Sequence, residues 1–368
     1  MAVLRRVKRP RVDIEIEKVS KYFKKEESWS TELADVSDSP VSIEDIKAMA
    51  APEFFTYVES KTKDLLPVNS KLEDSSEFPA NFAAIYSKVR LMRSKIITPV
   101  DTVGCASLPL TLNEKYGIAK YQIKPLHYRL QLLVALMLST QTKDETNAIA
   151  MNNMMDYCMN TMRIEEGITL EALLQIDEKQ LDTLIYPVGF HRKKAAYIKR
   201  AMPMLQEEFG GDVPTTIEGF NSLPGVGNKI GFLALQKSWG IVAGIGVDVH
   251  VDRLSKMWRW VDPKKCKTPE HTRKALEQWV PRELWNEINP LLVGFGQVIC
   301  PARGKRCDLC LANDICNNVD RKLVKLRNFE ESPASLRGDH SQLLTHLQHT
   351  LVESGSAAPR IKKEETDK

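Results

Sequence analysis

The 368-residue sequence has no apolar stretch near the roughly 20 residues a bilayer-spanning helix needs, and its mean hydropathy is −0.30. The opening residues, MAVLRRVKRPR, carry no apolar run of signal-peptide length, so neither a membrane protein nor a secreted one is expected. An excess of one charge is missing too: 52 Lys and Arg face 48 Asp and Glu, and a net +4 is too small to name a partner. Segments with strict polar–apolar alternation and β-branched enrichment are few, which argues against a sheet. No internal repeat is evident. Cysteine is scarce and odd in number, seven in all, yet four fall within residues 300–316. That crowding excludes an ordinary disulfide framework and predicts a metal or cluster site in a reducing compartment.

What is present reads as an ordinary globular chain, 43% apolar and 27% charged, long enough for two or three domains. Residues 1–81 mix basic blocks with Ser/Glu/Asp-rich stretches and are expected to be mostly disordered. The exception is 42–60, where Ser42 stands three residues before Asp45 and opens IEDIKAMAAPEFFTYV, a short helix despite Pro52. Residues 321–368 read as a polar tail. Between the tails, helix-length apolar patterns alternate with short Gly/Pro breaks, and the core is expected to be all-α. The positive charge is local: residues 229–283 hold eleven Lys/Arg against six Asp/Glu.

Most of the chemistry lies in 221–258. LPGVG at 223–227 is a tight turn, and an apolar helix begins immediately after it and ends at Trp239-Gly240. Backbone amides at Gly225, Val226 and Gly227, exposed at a helix N-terminus, form an anion site suited to a DNA phosphate. By itself this pattern is also that of a plain helix–helix turn. Lys229, in the first turn of that helix, has the wrong charge for a helix N-terminus, which suggests a functional amine able to form a Schiff base with a sugar carbon. Downstream, VDVHVDRLSKMW places Val251, Leu254 and Trp258 on one helical face with Asp248 at the N-cap position. A carboxylate there caps the helix and, beside a breaking glycosidic bond, would also stabilise a cationic sugar.

Cys300, Cys307, Cys310 and Cys316 give C-x6-C-x2-C-x5-C, a set of thiolates able to hold zinc or an iron–sulfur cluster. The single short Cys-x-x-Cys pair mildly favours the cluster. Between the first two ligands, Arg303, Lys305 and Arg306 sit on a short tether that offers cations to phosphates or simply faces solvent. Cys105, Cys158 and Cys266 read as ordinary cysteines.

LPGVGNK followed by VDVH resembles the helix-hairpin-helix signature of the endonuclease III branch of DNA glycosylases, with a connection, WGIVAGIGVD, apparently one residue longer than the bacterial pattern. The resemblance covers about 82–320, with its motifs in the family's order. It implies Lys229 and Asp248 as catalytic residues and a [4Fe–4S] cluster on the four cysteines. It further implies that Gln141, in LSTQTKD, fills the gap left by an extruded nucleotide, and that Phe190, in PVGFHRKK, wedges between bases. The implied fold is a six-helix barrel domain over 125–242 and a discontinuous cluster domain from 82–124 plus 243–320. The implied partner is damaged double-stranded DNA, bound by a monomer; partners among downstream repair proteins are not legible. The implied activity is removal of oxidised pyrimidines, and possible removal of ring-opened purines, with cutting of the abasic site by β-elimination. Adenine-mismatch enzymes of similar build lack the hairpin lysine, so Lys229 argues against that alternative. KRPR at 8–11, within a run free of acids, predicts nuclear import, with the mitochondrion as a further destination.

Overall fold

The computed structural model describes residues 41–62, 72, 75–326 and 338–353. In chain order the α-helices are α1 (Ile43–Ala48), α2 (Ala51–Thr62), α3 (Phe82–Arg93), α4 (Pro99–Thr102), α5 (Leu108–Lys115), α6 (Pro125–Ser139), α7 (Asp144–Asp156), α8 (Leu170–Gln175) and α9 (Glu178–Leu184). They continue as α10 (His191–Glu208), α11 (Ile217–Ser222), α12 (Asn228–Trp239), α13 (Val249–Met257), α14 (Pro269–Leu276), α15 (Ile288–Val298), α16 (Arg321–Leu326) and α17 (Ser341–Glu353). Among the described residues there is no strand, only an isolated bridge between Ile97 and Asp339. The all-α expectation stands.

Two apolar cores organise the helices. The first gathers side chains from α1 and α2 and from α5 through α12, with Leu132, Leu133 and Trp239 among its fully buried members. The second joins α3 to α13, α14, α15 and α17 through Phe82, Tyr86, Trp258, Trp260 and Phe295. It is therefore assembled from α3, which lies in sequence between α2 and α5 of the first core, and from segments that follow α12. Leu108, Leu112 and Ile123, which the sequence groups with the cluster domain, bury in the first core instead, because α5 packs on α6 and α7.

Both terminal regions contribute more than their composition suggests. Ser42 caps α1 in a full capping box with Asp45. The single helix expected over 42–60 is two, broken at Met49 and Ala50, and Pro52 falls in the first turn of α2, where no helical N–H is required. Phe54 of α2 faces Arg129 of α6, whose guanidinium also lies 4.3 Å from the Trp239 ring centroid. Arg129 forks onto Asp212, donating from Nε at 2.9 Å and Nη2 at 2.5 Å, so this buried cation is paired. At the other end, the segment read as a polar tail supplies α17, whose Leu343 is fully buried in the second core. Residues 1–40, which hold the basic import patch, lie outside the described residues.

Candidate active site

The helix-hairpin-helix is α11, the turn 223–227 and α12. Leu223 and Val226 point into the first core, and Val226 N–H donates to the Leu223 carbonyl at 3.1 Å. Val226 is thus an internal anchor whose amide is already used, and the anion-binding expectation narrows to Gly225, Gly227 and the first turn of α12. Gly225 has φ +78°, and a Cβ there would lie 2.5 Å from the Tyr197 ring, so only glycine lets the turn pass this close to α10. Gly227 is the N-cap of α12 and has no side chain to bond the first-turn amides. Asn221 donates to Asn228 at 2.7 Å, tying the two helices of the hairpin together.

Lys229 is half-buried in an open cavity of about 400 Å³ lined also by Thr140, Gly225, Val247, Glu270 and Arg273. Among the described residues it makes no ion pair. Asp248 follows Val247 directly and is the N-cap of α13. Its Oδ1 accepts from His250 N at 2.9 Å and from Val251 N at 2.8 Å, and Oδ2 takes no part in the cap. The residue is 8% exposed. The capping role is realised in full, and one carboxylate oxygen remains for another task.

Glu270 and Arg273 were not singled out from the sequence. Arg273 pairs with Glu270 and also with Glu277, and Glu277 in turn accepts from Ile245 N at 2.8 Å, so α14 clamps the loop before Asp248. The Arg273 guanidinium, with the Asn228 amide in support, holds the Glu270 carboxyl down to about 2. The i, i+3 and i, i+4 spacing of 270, 273 and 277 was a usable signal.

Gln141 and Phe190 meet at a second cavity, of about 190 Å³, lined with Met137, Lys193, Lys194 and Tyr197. Thr140 and Gly225 line both cavities, so the two adjoin. Both residues are left-handed, Gln141 at φ 53° and Phe190 at φ 59°, and Phe190 is 59% exposed. Lys194, the last of the RKK run that follows Phe190 and His191, turns inward. Its Nζ donates to the carbonyls of Leu138 at 2.7 Å and Thr140 at 2.6 Å and to Thr142 Oγ1 at 3.0 Å. Burial holds its ammonium down to about 8, with Cys105 opposing the shift and Lys229 adding to it. Lys194 belongs to the buried face Ala195, Ile198, Ala201, Met202 and Leu205 of α10, a phase the RKK run conceals.

The four clustered cysteines are all free, two buried and two half-buried. Burial pushes the Cys310 thiol up to about 12, Ala312 opposes this through a backbone bond, and the charges of Cys300, Cys316 and Cys307 add to the rise. Amides point at the sulfurs: Asp320 N lies 3.4 Å from Cys307 Sγ, and Asn318 N 3.4 Å from Cys316 Sγ. Among the described residues no three His, Cys, Asp or Glu side chains have the spacing to hold a single metal ion. Four thiols close in sequence, with N–H donors, fit a group bound through thiolate sulfur. Of the tether, Arg303 is exposed and Lys305 half-buried. Arg306 instead forks onto Asp308, at 2.9 and 2.7 Å, so its charge is spent within the loop and not held out for phosphate.

The profile of the HhH-GPD superfamily, base excision DNA repair proteins, matches residues 134–282, which span both cavities and the hairpin. Endonuclease III homolog 2 of Saccharomyces cerevisiae is 47% identical over 97% of this chain and 98% of its own length. Endonuclease III homolog 1 of the same yeast is 46% identical over 82% of this chain and 77% of its own, and mouse endonuclease III-like protein 1 is 42% identical over 65% and 73%. The fold and site therefore define a helix-hairpin-helix enzyme of base excision DNA repair. Within that class the chain belongs to the endonuclease III family, and it is a DNA glycosylase/AP lyase.

Proposed function

We propose that this enzyme excises oxidised pyrimidines from duplex DNA, with ring-opened purines as a further substrate group, through a Schiff base on Lys229. Lys229 Nζ attacks the sugar C1′ as the bond to the damaged base breaks, and the base leaves with that electron pair and takes up a proton. Nζ then loses a proton and the C1′–O4′ bond opens, O4′ taking up a proton, which gives the iminium; this acidifies the C2′ proton, whose loss expels the 3′ phosphate by β-elimination. Asp248 Oδ2 stabilises the sugar cation as it develops. The observation that carries this reading is the half-buried Lys229, without an ion pair, in an open cavity beside Val247 and Asp248.

Gly225, Gly227 and the first-turn amides of α12 bind a phosphate, while Gln141 and Phe190 enter the duplex where the nucleotide is extruded. Arg303 and Lys305 meet the backbone further along. The four cysteines carry a [4Fe–4S] cluster whose role is structural, since neither glycosidic cleavage nor β-elimination transfers an electron. The protein acts as a monomer in the nucleus, directed by Arg5, Arg6, Lys8, Arg9 and Arg11; a fluorescent fusion with these charges neutralised should lose nuclear accumulation.

The decisive assay uses a duplex with one oxidised pyrimidine. The expected product is a nicked strand ending in an unsaturated 3′ aldehyde, absent with Lys229→Gln. Base loss without a nick would overturn the lyase step, and an untouched duplex the whole reading.

A further inference from the structure

Gln141 and Phe190 are two of only four non-glycine residues with positive φ among the described residues, and they face one cavity from the turn after α6 and from the N-cap of α10. Each such residue is strained and persists only where its surroundings over-determine it. At Gln141 the determining contact is Lys194, whose Nζ binds the carbonyls of Leu138 and Thr140 and the hydroxyl of Thr142 on either side of it. Phe190 is the N-cap of α10, and the Lys194 N–H closes the first helical turn back onto its carbonyl at 3.1 Å, so the side chain that holds the Gln141 turn springs from the turn that Phe190 opens.

Simple capping does not account for this arrangement. Lys194 is 5% exposed, and the Nζ bonds to Leu138, Thr140 and Thr142 go to two carbonyls and a hydroxyl, all neutral, so the desolvated charge has no carboxylate in these bonds. Lys199, one turn and a half further along α10, also caps a helix end, bonding the Leu173 and Leu174 carbonyls, but touches no left-handed residue. The difference between the two lysines lies in what they hold.

We propose that Lys194 is a positioning residue for nucleotide extrusion: it braces the Gln141 turn against the start of α10 and so sets the spacing of the two side chains that enter the duplex. The inference rests on the glycosylase reading above. It separates extrusion from bond breaking, because a damaged base already unpaired needs no wedge.

The test compares excision of one oxidised pyrimidine from a paired duplex and from the centre of an unpaired bubble, in single turnover, with wild type, Lys194→Met and Lys194→Arg. Lys194→Met should lower the duplex-to-bubble rate ratio by about tenfold or more, the scale expected for misplaced positioning groups. Lys194→Arg, which keeps the charge but not the compact ammonium, should lower it less. An unchanged ratio in Lys194→Met, with both rates falling together or neither falling, overturns the brace; should that variant fail to fold, the ratio in Lys194→Arg decides on the same terms. A wild type inert on both substrates would instead overturn the glycosylase reading itself.

Discussion

Asp248 shows how one side chain is given two tasks that a substitution can separate. Its Oδ1 closes the N-terminus of α13, and asparagine offers an equivalent oxygen. Asp248→Asn should therefore melt within about 0.5 kcal/mol of wild type while excision slows by about 100-fold or more. Asp248→Ala should show the same kinetic loss and, in addition, about 1 kcal/mol lower stability. Thermal melting and single-turnover rates together check this; equal melting of all three would refute the cap. At this scale the sequence was informative where local geometry is carried by residue type and spacing, as for the Asp248 cap and the Gly225 turn. It was least informative for cations in a row. Lys193 and Lys194 differ only in helix phase, and the geometry that turns Lys194 inward belongs to α10 as a whole.

Helix α14 is an element whose charges are spent on order near the site. Arg273 lies between Glu270 and Glu277 and fixes the loop that leads to Asp248. Because the Glu270 carboxyl is held at about 2, below its ordinary 4.5, its contribution to stability is complete above pH 4.5 and is lost as the pH falls toward 2. Glu270→Gln should accordingly flatten that part of the acid limb of the stability curve; an acid limb identical to wild type in chemical denaturation at stepped pH would contradict the pairing. Elements were legible in proportion to their local signals. The Ser42–Asp45 capping box announced α1, and Trp239-Gly240 announced the end of α12, where Gly240 is left-handed. Helix α17 was hidden because Leu343, Leu344 and Leu347 are few among polar neighbours, and only the partner core makes their spacing meaningful.

Over the whole molecule, the site depends on contacts between two cores that the sequence does not order. Gln236 of α12 donates to the Asn286 carbonyl at 2.8 Å, and Gln297 of α15 donates to Asp144 of α7 at 2.6 Å while accepting from Val100 N. Such long-range pairs have no sequence signature, which is why the partition of 97–124 between the cores was not legible. The proposed cluster lies at the far end of the second core's segments, where Cys300 follows α15 and Leu309 and Ala312 are buried. Purified protein should absorb broadly near about 400 nm and contain iron and sulfide. Stoichiometric zinc without iron would contradict the assignment. The central claim is that Lys229 forms the covalent bond to the sugar, and borohydride trapping tests it most directly. Reduction in the presence of a duplex bearing an oxidised pyrimidine should join the wild-type protein to DNA and leave Lys229→Gln unjoined, with DNA affinity largely kept by phosphate contacts elsewhere. Trapped complex formed by Lys229→Gln would mean that another amine is the nucleophile.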